Sequence, residues 1–160
     1  MEILSSAHTW FFDSIHFDLE GTLNIELVEG IKSNEKELVE VDENTTLGPY
    51  HPVNVSEKSK MVSIQFPETM TYSVTNESYD IGDEKLEKEG KVLFKCSKSN
   101  YLEHIASSTS IKDLEEEFSH YLVWTEDYLI NVVTNEKPIV KLLNKKPNIN
   151  IERTSTYAAI

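Results

Sequence analysis

Hydrophobic and polar residues alternate along much of this chain, with the period of two that is typical of β-strands. The first two alternating runs are residues 10–20 and 22–31. In the first run, alternation places Phe11 and Ile15 on one face and Trp10 and Phe12 on the other. Residues 20–21, Glu-Gly, predict a two-residue turn between the runs, since glycine tolerates positive φ. The pattern therefore predicts that the chain begins with a β-hairpin.

Later alternating runs predict further antiparallel strands. They are residues 60–66, 70–76, 91–99, 120–124, 128–135 and 137–143. Residues 125–127 are the expected turn between two of these strands, and residues 101–107 are expected to extend another after a break. The last segment, 147–160, either pairs as an edge strand through Ile149 and Ile151 or frays.

Other segments lack strand alternation. Residues 32–59 are rich in Glu, Asn, Ser and Pro, so we expect a long surface loop in which residues 37–41 could form a short strand. Residues 83–90 predict a charged connector with one helical turn closed by Gly90.

Residues 110–118 give the best helix signal. Ser110 and Asp113 have a spacing like that of a capping box, and Ile111, Leu114 and Phe118 share one helical face. The predicted fold class is therefore mainly β, an antiparallel sandwich or twisted sheet of about seven to nine strands with one short helix near 110–118. We expect residues 1–160 to form a single domain.

The charge of the chain is strongly negative and unevenly distributed. The net charge is −13, and residues 1–50 contain 11 acidic side chains but only Lys32 and Lys36 as bases. The densest acidic run is 35–43, and Arg153 is the one arginine. Because positive charge supplies most nucleic-acid affinity and anionic membranes repel acidic surfaces, we expect neither nucleic acid nor membrane as a partner.

The composition also argues against several other classes. The single Cys96 cannot form an internal disulfide, and no apolar run approaches the length of a membrane span. The first residues lack the basic and apolar regions of a signal peptide, so a cytoplasmic protein is expected.

Residues that could carry chemistry are scattered. His16, Asp18 and Glu20 share one face of a strand and are the only candidate metal ligands, although a solvated hairpin face is the commoner role of such a set. A serine or cysteine paired with a histidine could be assembled only in space, and Cys96 fits a buried strand position. No phosphate-binding glycine motif is found. We therefore expect no catalytic residue and no cofactor.

The acidic run and the last hairpin provide the candidate partner-binding residues. Charged loops can steer a partner, and an aromatic residue beside carboxylates is a typical hot spot. The candidates are Glu35, Glu37, Glu40, Asp42 and Glu43 in the run, Glu115, Glu116 and Glu117 in the predicted helix, and Trp124 in the hairpin.

The acidic, lysine-only, asparagine-rich composition and the pattern HYLVWTEDYLINVVTNEKPIV in residues 120–140 resemble small immunity-type proteins encoded beside bacterial polymorphic toxins or in prophages. This resemblance implies a stoichiometric, non-enzymatic inhibitor that occludes the active site of a toxin, and prophage-encoded inhibitors of bacterial defence proteins share its size and charge. The acidic charge predicts that the neutralised partner, a toxin or a defence protein, is basic. The alternatives are a phage or virion structural or assembly subunit, and a small metal-dependent enzyme using the histidine and carboxylates of residues 16–20. The sequence leaves the oligomeric state open.

Overall fold

Most of the described chain is β-structure, confirming the mainly β prediction. The computed structural model describes residues 2–42, 44–113, 117–151 and 153–155. The strands are β1 Thr9–Phe17, β2 Leu23–Lys32, β3 Glu37–Asp42, β4 Thr45–Tyr50, β5 Val53–Asn54, β6 Met61–Phe66, β7 Thr69–Asn76, β8 Glu87–Gly90, β9 Leu93–Lys98, β10 Ser119–Trp124, β11 Tyr128–Thr134, β12 Ile139–Leu143 and β13 Thr154–Ser155. The α-helices are α1 Glu2–Ser5 and α2 Asn100–Ser108, and short 3₁₀-helices span Glu77–Tyr79 and Ser110–Asp113. The described strands outnumber the seven to nine that were predicted.

The strands form two larger antiparallel sheets and one separate hairpin. In the six-stranded sheet the order is β12-β6-β2-β5-β13, and β1 pairs with the other side of β2. The five-stranded sheet has the order β7-β11-β10-β9-β8. Strands β3 and β4 pair with each other in the third sheet.

The main core lies between the two larger sheets. It contains Ile25 and Ile64 from the six-stranded sheet and Val123 and Ile130 from the five-stranded sheet, and all four are completely buried. Trp10 lies in the same core and donates its indole N–H to the Leu4 carbonyl at 2.9 Å. The sheets therefore pack face to face as a sandwich, and removal of this apolar surface from water stabilises the fold.

The first hairpin forms as predicted, but with a longer turn. Residues 18–22 make a loop in which the Gly21 N–H donates to the Asp18 carbonyl and the Asp18 N–H donates to the Thr22 carbonyl. Gly21 has a φ of 84°, as the sequence indicated. The two-residue turn at 20–21 was wrong, because the Asp18 carboxylate accepts two further backbone N–H groups and closes a wider loop.

A β-bulge changes the faces of β1. The pairing with β2 shifts between Phe12 and Ser14, so Asp13 is an extra residue in the ladder. Trp10, Phe12 and Ile15 consequently all contact the main core. The predicted placement of Ile15 and Trp10 on opposite faces was wrong, since strict alternation holds only without a bulge.

Two segments predicted as irregular or helical are strands. The 32–59 segment contains β3, β4 and β5 rather than one long loop, and the short strand considered at 37–41 is β3. In 83–90, residues 87–90 form β8, which pairs with β9 at the edge of the five-stranded sheet. Pairing with a neighbouring strand satisfies these backbone groups, and charged side chains are common on such edges.

The longest described helix, α2, lies earlier in the chain than the predicted helix at 110–118. Residues 101–107 belong to α2 and do not extend β9. The Ser99 hydroxyl caps the helix by accepting the Leu102 N–H at 3.0 Å, and Ile105 packs against Ile111 and Val133. Within 110–118, a 3₁₀-helix covers Ser110–Asp113, residues 114–116 lie outside the described part, and Glu117 and Phe118 are not helical.

The described end of the chain is tied to the six-stranded sheet. Ile149 and Ile151 are exposed, and the edge pairing instead uses Thr154 and Ser155 against β5. Arg153 donates to the Asp13 carboxylate at 2.7 Å, and both side chains are largely buried. No described helix is long and apolar enough to cross a membrane.

Candidate functional site

The first candidate site is the acidic arm, which we define as residues 35–50 and which contains β3 and β4. Each of these two strands pairs only with the other among the described strands. At its base, the Ser33 N–H donates to the Pro52 carbonyl at 2.7 Å, and a ring nitrogen of His51 lies 3.0 Å from the Ser33 carbonyl oxygen. An isolated two-stranded hairpin is only marginally stable in water, so the arm is held chiefly where it joins the body.

The arm presents carboxylates and exposed leucines together. Glu35, Glu37 and Glu40 are exposed, and so are Leu38 at 64% and Leu47 at 46%. Each leucine could bury further apolar area against a partner.

Two other acidic residues of the predicted set differ from these glutamates. The exposed Asp42 carboxylate accepts the Asn44 N–H at 2.9 Å, and this backbone hydrogen bond is the main reason that the pKa of Asp42 is lowered. Asp42 therefore shapes the β3–β4 turn as well as adding charge. Glu43 lies outside the described residues.

The other predicted contact residues are on different elements. Glu115 and Glu116 lie outside the described residues, and Glu117 is exposed just before β10. Trp124 is at the end of β10, and the Lys88 ammonium lies 3.7 Å from its ring centroid. In the part of the chain that is described, no hydrogen bond or ion pair connects the acidic arm with Glu117 or Trp124. The described members of the predicted set are therefore spread over the acidic arm, the segment before β10 and the end of β10.

The second candidate site is a cleft of about 560 Å³ on the outer face of the five-stranded sheet. Leu122, Leu129 and Trp124 contribute apolar surface to it, and residues 80–83 and Leu86 border it. Trp124 faces this cleft while Tyr121 lies in the main core, as alternation along β10 requires.

The segment beside the cleft is tied to helix α2. The Asp83 carboxylate accepts the Asn100 N–H at 2.6 Å, and Lys85 forms an ion pair with Glu103 at 2.7 Å. The Asp83 contact fixes the segment at the first turn of the helix, where a carboxylate is electrostatically favourable.

A buried chain of polar side chains borders the same cleft. The Ser99 hydroxyl oxygen lies 2.8 Å from His120 Nδ1, and His120 Nε2 lies 2.9 Å from the Asn131 side-chain oxygen. Asn131 in turn donates to the Ser73 hydroxyl at 3.4 Å. Ser99 and His120 are 2% and 1% exposed, and the ring of Tyr101 packs 5.3 Å from the imidazole.

Burial controls the protonation of His120. Loss of hydration lowers the pKa of His120, although its hydrogen bond to Asn131 and the negative charge of Asp83 act in the opposite direction. The imidazole is therefore neutral at pH 7 and has one nitrogen available as an acceptor.

The surroundings of Cys96 and of the predicted metal ligands favour structural roles over chemical ones. Burial raises the pKa of the Cys96 thiol to about 11, which makes it a poor nucleophile near neutral pH. The carboxylate of Asp18 is engaged in the 18–22 loop. Throughout the described residues, no three His, Cys, Asp or Glu side chains are grouped as a metal site, and this includes His16, Asp18 and Glu20.

Sequence reasoning missed Ser99 and Asn131 as functional candidates and left His120 isolated. Ser99 directly follows β9, Asn131 is in β11 and His120 is in β10, so only sheet pairing brings the three residues together. One local signal was present, because Ser99 precedes Leu102 and Ile105 at the helical spacing of three. That spacing competed with the alternation used to predict a strand at 101–107.

Comparison with known proteins adds no relative: no protein-family model, curated protein or solved structure matches this chain.

Proposed function

We propose that this chain is an acidic binding protein that neutralises a basic protein partner, and that the acidic arm makes the principal contact. The observation that carries the proposal is the arm itself, a hairpin with exposed glutamates and leucines whose strands pair only with each other among the described strands. The protein would act by occupying its partner's surface in a fixed stoichiometry.

The composition of the arm supports a contact rather than a purely solubilising role. Carboxylates alone would be enough for solubility, but Leu38 and Leu47 add apolar area that water does not favour. Binding would bury these side chains, and an unpaired edge of β3 or β4 could also accept a strand of the partner.

Electrostatics supports a basic partner. The acidic residues outnumber the basic ones by 13 in the whole chain, and the densest acidic run falls within the arm. Such a field accelerates encounter with a positively charged surface and repels an acidic one. The association rate constant should therefore fall steeply as ionic strength rises.

The test compares two variants with the same change in net charge. In the arm variant, Glu35, Glu37 and Glu40 are replaced by lysine, and Asp42 is retained because it supports the turn. In the matched control, the exposed residues Glu68, Glu84 and Glu136 are replaced by lysine. Wild type and both variants serve as baits in the native host, and the captured basic partner is then purified for binding kinetics.

We expect the arm variant to bind at least about tenfold more weakly than wild type, a loss of about 1.4 kcal/mol. The control should retain most of the affinity, because its altered charges lie elsewhere. Equal weakening of both variants would show that net charge, and not the position of the arm, determines the affinity. Unchanged binding of the arm variant would reject the proposal.

The identity of the captured partner distinguishes an immunity role from an anti-defence role. Identification of a toxin would support an immunity role, and identification of a defence protein would support an anti-defence role. Native mass spectrometry of the protein alone would instead favour an assembly subunit if it showed a stable ring or filament.

A further inference from the structure

The hydrogen-bonded side chains beside the cleft, Ser99, His120 and Asn131, have the arrangement of a nucleophile, a base and an orienting group. Ser99 follows β9 directly and caps α2, so its hydroxyl lies at a strand-to-helix junction. His120 comes from the adjacent strand β10, and Asn131 comes from β11 beyond it. Nucleophile and base within hydrogen-bond distance, with the base held by a third group, is the general pattern of activated-serine catalysis.

The hydrogen bonds fix which atom holds each proton. The side-chain oxygen of Asn131 can only accept a hydrogen bond. Nε2 of the neutral His120 ring therefore carries the hydrogen and donates it to this oxygen. Nδ1 is then an acceptor, and the Ser99 hydroxyl donates to it over 2.8 Å. The imidazole is thus in the tautomer that can remove the proton from Ser99, and Asn131 holds the ring in that orientation.

The first turn of α2 supplies groups that stabilise negative charge. The Leu102 N–H already donates to the Ser99 oxygen at 3.0 Å, which favours an alkoxide there. The Asn100 N–H donates to Asp83, whereas the Tyr101 N–H has no hydrogen-bond partner among the described residues. Free N–H groups at a helix N-terminus are suitable donors to the oxyanion of acyl transfer.

We propose that Ser99, His120 and Asn131 form an acyl-transfer site whose substrates are carboxylic esters with a small apolar acyl group. The acyl group would lie against Leu122, Leu129 and Trp124, which give the cleft its apolar surface. This activity is separate from partner binding, because none of these residues belongs to the acidic arm.

The reaction has two balanced steps. Ser99 Oγ attacks the ester carbonyl carbon while its proton moves to His120 Nδ1, and the C–O bond to the leaving alcohol breaks as the imidazolium returns that proton to the alcohol oxygen. Water then attacks the acyl-serine, giving one proton to His120, and the carboxylic acid leaves as Ser99 regains the proton. No oxidant, reductant or metal is required.

The experiment uses the full chain with two probes, a fluorophosphonate and 4-nitrophenyl butyrate. Covalent labelling is followed by intact mass and peptide mapping, and ester cleavage is followed by nitrophenolate release. We expect one fluorophosphonate adduct on Ser99. With 4-nitrophenyl butyrate, we expect either repeated hydrolysis of the ester or a stable butyryl ester on the same hydroxyl.

Variants separate chemistry from helix capping. Ser99→Asn retains a good N-cap side chain but has no hydroxyl, so it should fold, as judged by circular dichroism, and remain unlabelled. His120→Asn should slow labelling of Ser99 at least about 100-fold, since general-base catalysis contributes that much or more. Ser97→Ala, which alters an exposed serine two residues earlier, should label like wild type.

Folded wild-type protein without an adduct on Ser99 would overturn this proposal. Labelling of Ser99 at the same rate in wild type and in folded His120→Asn would also overturn it, because the imidazole would then not activate the hydroxyl. The acidic arm variant should label at the wild-type rate, so the outcome here is independent of the outcome for partner binding.

Discussion

At the scale of single residues, buried polar groups in this protein are satisfied by specific partners from distant parts of the chain. His120 has hydrogen-bond partners at both ring nitrogens, and Arg153, the one arginine, is committed to the bulge residue Asp13. A buried polar group left without a partner costs more than the net gain from one hydrogen bond. These contacts therefore fix a single arrangement of the strands that carry them.

The buried state of His120 predicts a pH dependence of stability. Because burial lowers its pKa in the folded protein, its contribution to stability is fully present above about pH 6.5, the value of a free histidine, and is lost as the pH falls towards the folded value. Tyr101 packs against the ring, Ser99 and Asn131 hydrogen-bond to its nitrogens, Cys96 is the residue opposite His120 on β9, and Asp83 acts electrostatically. Each unit between the two pKa values corresponds to about 1.4 kcal/mol.

Urea unfolding of wild type and His120→Asn between about pH 7.5 and about pH 5.5 measures this effect. The free energy of unfolding should fall more steeply for wild type, because asparagine cannot take up the proton in the unfolded chain. The difference in slope is the quantity of interest, since the variant also loses contacts. Parallel curves would show that His120 does not titrate differently in the two states.

At the scale of elements, local pattern and tertiary contact compete. Residues 101–107 alternate in part like a strand, yet they form α2 because Ser99 caps the helix and Ile105 packs on the sheet. In β1, the bulge at Asp13 brings Ile15 to the core face and leaves a carboxylate for Arg153. In both cases burial of apolar surface, and not strand propensity, decides the outcome.

The acidic arm should be the least protected of the larger β elements. Among the described strands, β3 and β4 pair only with each other, whereas β2 pairs with strands on both sides and buries Leu23, Ile25 and Leu27. Native-state hydrogen exchange should therefore be faster for amides paired within β3 and β4 than for those paired between β2 and β6. Similar protection of the β3–β4 and β2–β6 pairs would mean that the arm is packed more firmly than its exposure indicates.

At the scale of the whole molecule, the core between the two sheets supplies most of the stabilisation. Ile64→Ala removes buried methyl and methylene groups at the centre of this core and should lower the free energy of unfolding by about 2–5 kcal/mol. Leu142→Ala, on the neighbouring strand β12, alters a side chain that is 58% exposed and should change it by less than about 0.5 kcal/mol. Urea unfolding measures both, and a small effect of Ile64→Ala would place the stabilising core elsewhere.

The sequence by itself determined the mainly β class, the first hairpin, the 120–135 hairpin and the strands at 60–66 and 137–143. These elements follow from alternation because successive side chains of a strand point to opposite faces, which meet different surroundings. Along β10, for example, Tyr121 and Val123 enter the main core, whereas Leu122 and Trp124 face the cleft. Net charge and its concentration in residues 35–43 are also properties of the sequence alone. The arm that carries this charge was only partly predictable, since its strands are not amphipathic.

Only the tertiary structure decided where the helix forms, how the bulge redirects β1, and which polar groups meet. The cleft residues Ser99, His120 and Asn131 are separated by up to 32 positions in the numbering and become neighbours through pairing of β9, β10 and β11. Local pattern cannot specify such contacts, because strand order depends on how both sheets bury their inner faces at once. Periodicity therefore determined the strands, and packing between them determined the candidate site.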